Sequence, residues 1–202
     1  MLNMNRHVFI LAGIITLIAL ALYQVVTRVN LDIPREIEIS KKNSNKENKY
    51  MFELKSPVFE NNSLIPMKYT CGGENINPPL EISGVPNGTE SLTLIMEDPD
   101  VPKDRVPEGL IVHWVKFNMP INNLIIEEGK EPAGVAGRAV RDSATYVGPC
   151  PPDREHRYFF KLYALDTVLS LAPGATKEEV EMAMEGHILE KTELIGRYDK
   201  KP

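Results

Sequence analysis

YVGPCPPDREHRYFFKLYALD, residues 146–166, decides the fold. Its first half cannot be a helix interior. Gly148, Pro149, Pro151 and Pro152 punctuate it, and each proline has a fixed φ and no amide proton to give. The second half changes character at His156. In an extended chain Tyr158, Phe160, Leu162 and Ala164 fall on one side, and Phe159, Lys161, Tyr163 and Leu165 on the other. Apolar and aromatic residues on both sides predict a strand covered on both faces. A rigid proline loop then delivers His156 and Arg157 to the mouth of a buried strand, where a ligand site can rest on a firm scaffold.

Working outward, SLTLIME at residues 91–97 reads as a second strand and runs into Asp98-Pro99-Asp100-Val101-Pro102. IVHWVKFNM at residues 111–119 reads as a third, with His113, Val115, Phe117 and Met119 expected on one side. Antiparallel pairing of these two puts Asp98 beside the start that carries His113. If the strand after the proline loop begins at the same edge, one carboxylate and two imidazoles share a rim. Shorter strands are expected near residues 51–56, 80–82 and 193–198, between Pro/Gly turns. The 16 prolines suit loop-rich β structure, not a helix bundle. The predicted fold is mainly β: antiparallel strands in a sandwich-like packing, with few peripheral helices. One helix is firmly signalled. Thr176 with Glu179 makes a capping box, and Val180, Ala183, Met184, His187 and Ile188 share a helical face. His187 reads there as a core or helix-end residue, not a ligand.

Charge divides the chain. Residues 1–49 hold seven Lys/Arg against four Asp/Glu, a balance of +3, whereas residues 50–202 carry −8. So acidic a domain is a poor partner for nucleic acid, whose binding rests on neutralising phosphates. Residues 8–26, VFILAGIITLIALALYQVV, contain no charge. Nineteen such residues are about enough to span a bilayer, so residues 1–29 read as a transmembrane anchor, with a signal segment cleaved near Ala19-Leu20-Ala21 as the alternative. Residues 30–49 are a polar Asn/Lys-rich linker, and residues 50–202 the folded domain. The expected setting is a membrane-anchored protein with its domain outside the cytoplasm, or a secreted one after cleavage. Cys71 and Cys150 allow one disulfide in an exported domain; two small buried thiols are the other reading. They lack the spacing of a thiolate zinc site.

Several separated motifs resemble the phosphatidylethanolamine-binding protein family, in its bacterial Raf kinase inhibitor-like branch. They are DPDVP at residues 98–102, HWVKFNMP at 113–120, and GPCPP followed by HRYFFKLYALD. IPMKYTCGGENINPPL at 65–80 and GHILEKTELIGRYDK near the C-terminus also fit. The resemblance spans roughly residues 52–200. It implies a small pocket for phosphate, phosphorylated groups or phospholipid heads, built on Asp98, His113 and His156 and lined by Pro102, Cys150, Pro152 and Tyr158. It also implies a cis bond at Val101-Pro102. Animal members often have Gly where Cys150 stands, which alters pocket shape but not the assignment.

The residues themselves support an anion site. His113 and His156 can donate to phosphate oxygens, the amides beside Gly148 and Cys150 can add donors, and Tyr146 or Tyr158 can offer a hydroxyl. Asp98 would repel an anion, so its expected role is to orient an imidazole and raise its pKa, or to accept from an ammonium. The expected function is non-enzymatic binding of a phosphate-type anion or phospholipid head group, with no cofactor. Family members include kinase and protease regulators, so a protein partner of that kind is implied. The competing class is an enzyme that uses Asp98, His113 and His156 as an iron-type triad or an acid–base set. The chain has no HExxH pattern, GxSxG elbow or GK[ST] phosphate loop to favour it.

Overall fold

The structure is a computed structural model, and it describes residues 51–199 together with Tyr23 and Gln24. Nearly all of the expected membrane segment (residues 8–26) and the linker (30–49) lie outside the described residues. Among those described, no helix is long and apolar enough to cross a membrane.

Among residues 51–199, nine strands and one α-helix follow in chain order: β1 (Glu53–Lys55), β2 (Ser63–Leu64), β3 (Leu80–Ser83), β4 (Ser91–Asp98), β5 (Ile111–Met119), β6 (Ile125–Ile126), β7 (Val135–Ala136), β8 (His156–Leu165), α1 (Lys177–Met184) and β9 (Ile188–Tyr198). Six strands form one sheet in the order β2-β9-β8-β4-β5-β7, and three form another in the order β1-β3-β6. All pairings are antiparallel except the short β2–β9 contact. The expected mainly β architecture with few helices is therefore the observed one.

The two faces of β8 explain why both sides of its sequence are apolar. Tyr158, Phe160, Leu162 and Ala164 enter a core shared with Leu54, Leu80, Ile82 and Ile126 of the small sheet. Tyr163 and Leu165 enter a second core, closed by Leu169, Ala175, Val180 and Met184. Each large apolar side chain buried there contributes about 1.5–3 kcal/mol relative to an exposed one. Helix α1 supplies Val180 and Met184 to that second core. It starts with the expected capping box: Thr176 accepts from the Glu179 amide, and the Glu179 carboxylate accepts from the Thr176 amide. It stops at Met184, and Gly186 turns the chain with φ +79°. His187 thus leaves the helical face. It is exposed and pairs with Asp166 at 2.8 Å.

Strand β4 lies between β5 and β8, with Asp98 opposite Ile111 and Glu97 opposite Phe159. The three strand ends expected to converge do so. The side-chain alternation expected along β5 is broken twice. Met96 pairs with Trp114 and Glu97 with Val112, so His113 is the extra residue of a bulge. Leu94 pairs with Lys116 and Leu92 with Met119, so a second extra residue falls nearby, where Asn118 has φ +53°. Each bulge shifts the pleat by one residue. Trp114 and Met119 therefore face the first core, whereas Val115 and Phe117 face the second.

Candidate functional site

Asp98, His113 and His156 all sit at the rim where β4, β5 and β8 meet, and all are buried. They do not share one role. His156 is the first residue of β8 and is wholly buried. Its Nδ1 lies 2.7 Å from Asp98 Oδ2 and its Nε2 lies 2.9 Å from Asp153 Oδ1. Ionised carboxylate oxygens only accept, so a ring that satisfies both donates from each nitrogen. Asp98 is held on its other oxygen as well, since Oδ1 accepts from the Asp100 amide at 2.9 Å. The Asp153 carboxyl is held below the usual range: burial pushes it up, but His156 and Arg154 together outweigh that.

His113 is fixed differently. Its Nδ1–H donates to the Val147 carbonyl at 2.7 Å. The neutral ring then offers Nε2 as an acceptor, and that nitrogen is buried with no hydrogen-bond partner. Burial lowers the pKa of His113 below its ordinary value, against the raising effects of the Val147 carbonyl and Asp98. The expected upward shift from Asp98 is thus present but loses to desolvation. The ring packs edge-on against Tyr158, with centroids 5.3 Å apart.

A cavity of about 270 Å³ opens over this rim. Of the residues named from the sequence, Asp98, His113, Gly148, Cys150 and Pro152 line it. Pro102, Tyr146, His156 and Tyr158 stand outside that lining. Tyr146 is buried, donates to the Tyr69 carbonyl at 2.8 Å and packs edge-on against Trp114. Tyr158 is buried with its hydroxyl near Asp98 and the Cys150 backbone, in no well-formed hydrogen bond to another side chain. Burial first, and then the Asp98 charge, push the Tyr158 phenol pKa far up.

The proline loop is held from the other side by residues 67–75. The Gly148 amide, expected as a free donor, gives its proton to Asn75 Oδ1 at 2.8 Å. A Cβ at Gly148 would lie 2.6 Å from the Tyr69 carbonyl oxygen, so only glycine permits this approach. Cys71 and Cys150 form a disulfide across the same contact, and the Cys71 amide donates to the Pro149 carbonyl at 3.1 Å. Both cysteines are exposed and line the cavity. The reading of two buried thiols gives way to a cross-link on the rim.

Val101–Pro102 is trans, contrary to the expected cis bond. The chain reverses one step later, where the Pro102 carbonyl accepts from the amides of Arg105 and Val106 at 3.0 and 3.1 Å. That turn brings the loop back without isomerising the proline. Asp100 then locks the loop to β8: its carboxylate takes Nε, NH2 and the backbone amide of Arg157 at 2.7–3.0 Å. The Arg157 guanidinium holds the Asp100 carboxyl below its ordinary value.

Among the lining residues that escape sequence reasoning, Asn75, Arg105 and Arg141 carry polar side chains that could meet a ligand. Arg105 and Arg141 are exposed, and neither guanidinium has an ion pair or hydrogen bond among the described residues. The only sequence signal for them is a cation in an otherwise acidic domain. The floor of the cavity thus offers acceptors, Asp98 and His113 Nε2, and its mouth offers two guanidinium donors. Among the described residues no three His, Cys, Asp or Glu side chains are grouped to hold a metal ion.

The chain that builds this rim is similar to known proteins. A family model described as phosphatidylethanolamine-binding protein matches residues 55–199. A UPF0098 protein of Methanothermobacter thermautotrophicus is 50% identical over 152 residues, covering 72% of this chain and 97% of its own length. One from Chlamydia pneumoniae is 46% identical over 148 residues, covering 73% and 99%. A crystal structure of a putative phosphatidylethanolamine-binding protein homologue from Chlamydia trachomatis superposes with a TM-score of 0.73 at 43% identity, covering 77% of this chain and all of that one. Escherichia coli YbcL, described as a new member of the mammalian PEBP family, superposes at 0.67 with 27% identity over 74% and 99%. In these relatives the matched region is essentially the whole protein, so in them a unit of this length stands without a long N-terminal extension. With the family model matched over residues 55–199 and relatives up to 50% identical over nearly their whole length, the chain belongs to the phosphatidylethanolamine-binding protein family.

Proposed function

We propose that the Asp98–His113 cavity binds a small phosphorylated ligand, such as phosphate or a phospholipid head group, and binds it together with a proton. The observation that supports this is the unpartnered, buried Nε2 of His113 beside the Asp98 carboxylate. A bare phosphate dianion would meet two acceptors there. A monoanion brings its own P–OH, or His113 takes up a proton and donates; either way one proton accompanies the ligand. The negative charge is met by Arg105 and Arg141 at the mouth, which suit phosphate oxygens.

The acid–base or metal enzyme reading asks for imidazoles free to act. Both nitrogens of His156 face carboxylates, which favours a binding site over a catalytic one. The disulfide suits an oxidising compartment, and with residues 8–26 it supports a domain held outside the cytoplasm.

Titrating inorganic phosphate and phosphoethanolamine into residues 50–202, followed by amide chemical shifts, tests the site. Shifts should cluster at Asp98, His113, Val147 and Gly148. Above each ligand's second ionisation, near pH 6 for the phosphate monoester and higher for inorganic phosphate, affinity should fall about tenfold per pH unit. Arg141→Ala should weaken binding by about 1–3 kcal/mol. Shifts confined to another surface, or affinity that does not depend on pH, would refute the reading.

A further inference from the structure

The connection from β3 to β4 contains a tight turn, Pro86-Asn87-Gly88-Thr89. The Thr89 amide and hydroxyl both donate to the Pro86 carbonyl, at 3.3 and 2.7 Å, and close it. Gly88 has φ +86°, the left-handed value that the third residue of a type II turn needs and that glycine adopts without steric cost. Asn87 and Gly88 are both exposed. The closing bond of such a turn engages its first and fourth residues and leaves the amide of the third unused. No hydrogen bond among the described residues takes up the Gly88 amide, the Asn87 carbonyl or the Asn87 side chain. The peptide unit that joins them is therefore free to rotate without breaking a contact.

This combination sets Asn87 apart from the other described asparagines. Asn61, Asn75, Asn77, Asn118 and Asn123 each hold a side-chain hydrogen bond to the backbone. Asn62 holds none, but the amide that follows it, on Ser63, donates to the Glu60 carbonyl at 3.0 Å. Asn122 is followed by Asn123, whose Cβ crowds the amide nitrogen. At Asn87 a loose carboxamide stands next to an amide that is neither bonded nor hindered. A Cβ built on Gly88 would meet nothing nearer than Leu189 Cδ1 at 4.0 Å, so the turn is open on that side.

We infer that Asn87 is a site of spontaneous modification: the Gly88 nitrogen attacks the Asn87 carboxamide, and the residue becomes aspartate or isoaspartate with loss of ammonia. The attacking and attacked atoms belong to adjacent residues, so no encounter has to be arranged. The bond from Gly88 N to Asn87 Cγ forms, the Cγ–Nδ2 bond breaks, and ammonia leaves with the Gly88 proton. The product is a five-membered cyclic imide. Water, the one co-reactant, then opens it. Attack at Cγ restores the main chain and leaves aspartate; attack at the main-chain carbonyl carbon reroutes the chain through Cβ and Cγ and leaves isoaspartate. Nothing is oxidised or reduced. Either product adds a negative charge beside Glu90, in a domain that already carries −8. Isoaspartate also adds a methylene to the main chain between β3 of the small sheet and β4 of the large one.

The test uses the full chain, held at neutral and at mildly alkaline pH, digested at intervals and read by mass spectrometry. An isoaspartate carboxyl methyltransferase is the reagent for the rearranged product. The peptide carrying residues 87–88 should convert at least about tenfold faster than that of any other described asparagine, and faster in proportion to hydroxide, because the attacking amide must give up its proton. A loop tip opens at little free energy, so the native rate should lie within about tenfold of the rate in the urea-unfolded chain. Gly88→Ala puts a Cβ beside the nitrogen and should slow conversion by about tenfold; measuring it in urea as well removes any effect of strain at φ +86°. Asn87→Gln would need a six-membered ring and should keep its amide over the same interval. Conversion at Asn87 no faster than at the hydrogen-bonded asparagines overturns the inference. So does a native rate far below the unfolded one, which would mean that the turn protects the site. Unchanged conversion in Gly88→Ala or in Asn87→Gln would overturn the backbone-attack route.

Discussion

Asp98 and His156 form a buried contact, Oδ2 to Nδ1 at 2.7 Å, that joins the end of β4 to the start of β8. Because Asp153 closes on the other ring nitrogen at 2.9 Å, His156 spans two carboxylates and holds the proline loop against the sheet edge. It positions Asp98; it does not line the cavity itself.

Removing the imidazole should therefore act mainly on stability. His156→Ala leaves the Asp98 carboxylate buried and without its strongest partner, and breaking one side of a buried pair typically costs about 3–5 kcal/mol. Urea unfolding of residues 50–202 measures it. His187→Ala is the control: that ring is exposed, its pair with Asp166 is solvent-screened, and the change should stay below about 1 kcal/mol. Equal, small losses in both variants would mean that the Asp98–His156 contact does not hold the rim.

The disulfide closes a loop over a sequence separation of 79 residues. Restricting the unfolded chain over that length is worth up to about 4 kcal/mol on the chain-entropy account. A Cys71→Ser/Cys150→Ser double variant should lose about 2–4 kcal/mol, and adding reductant to the wild type should reproduce most of that loss. Phosphate binding should weaken in parallel, because the cross-link ties residues 71 and 150 across the cavity mouth. A wild type whose melting is indifferent to reductant would contradict the cross-link.

How far the sequence led can be judged residue by residue. Strand ends at Asp98, Ile111 and His156 are legible because β4 and β8 are buried on both faces and bounded by proline. The placing of His113 and Trp114 is not, because alternation assumes an unbroken pleat and β5 carries two extra residues. Asn118 at positive φ is the one local hint, since asparagine tolerates that region better than its neighbours would. Arg105 and Arg141 fall in loops without periodicity, and nothing short of tertiary structure brings them to one mouth. The role of His156 also needs the fold: its spacing gives proximity to Asp98, but only Asp153, reaching back from the loop, shows that both ring nitrogens are engaged.

Gly148→Ala separates packing from chemistry. The added Cβ would meet the Tyr69 carbonyl at 2.6 Å and Asn75 Oδ1 at 2.5 Å, and neither can retreat without opening the Gly148–Asn75 bond. We expect a loss of about 1–3 kcal/mol in stability. Phosphate binding should also drop, although no charged group has changed. Wild-type affinity in this variant would show that the floor of the cavity tolerates movement of the proline loop.

Burial holds the His113 pKa below the ordinary 6.5. In the free protein its ring protons should titrate below that value by NMR. The sign for stability follows from proton counting. Between the folded pKa and 6.5, the unfolded chain binds more protons at this site than the folded one. Stability from His113 is therefore complete above about pH 6.5 and is lost as pH falls through the folded value. His113→Gln lacks that titration, so the difference between wild type and variant should shrink as pH falls across the same window. Phosphate has the opposite effect on the ring. A bound anion favours the protonated form, so its presence should move the His113 titration upward if the ring supplies the proton, and leave it in place if the ligand arrives as P–OH. In both cases affinity rises towards acid, and the ring shift assigns the proton. A His113 that titrates above 6.5 in the free protein would mean that Asp98, and not burial, governs the site.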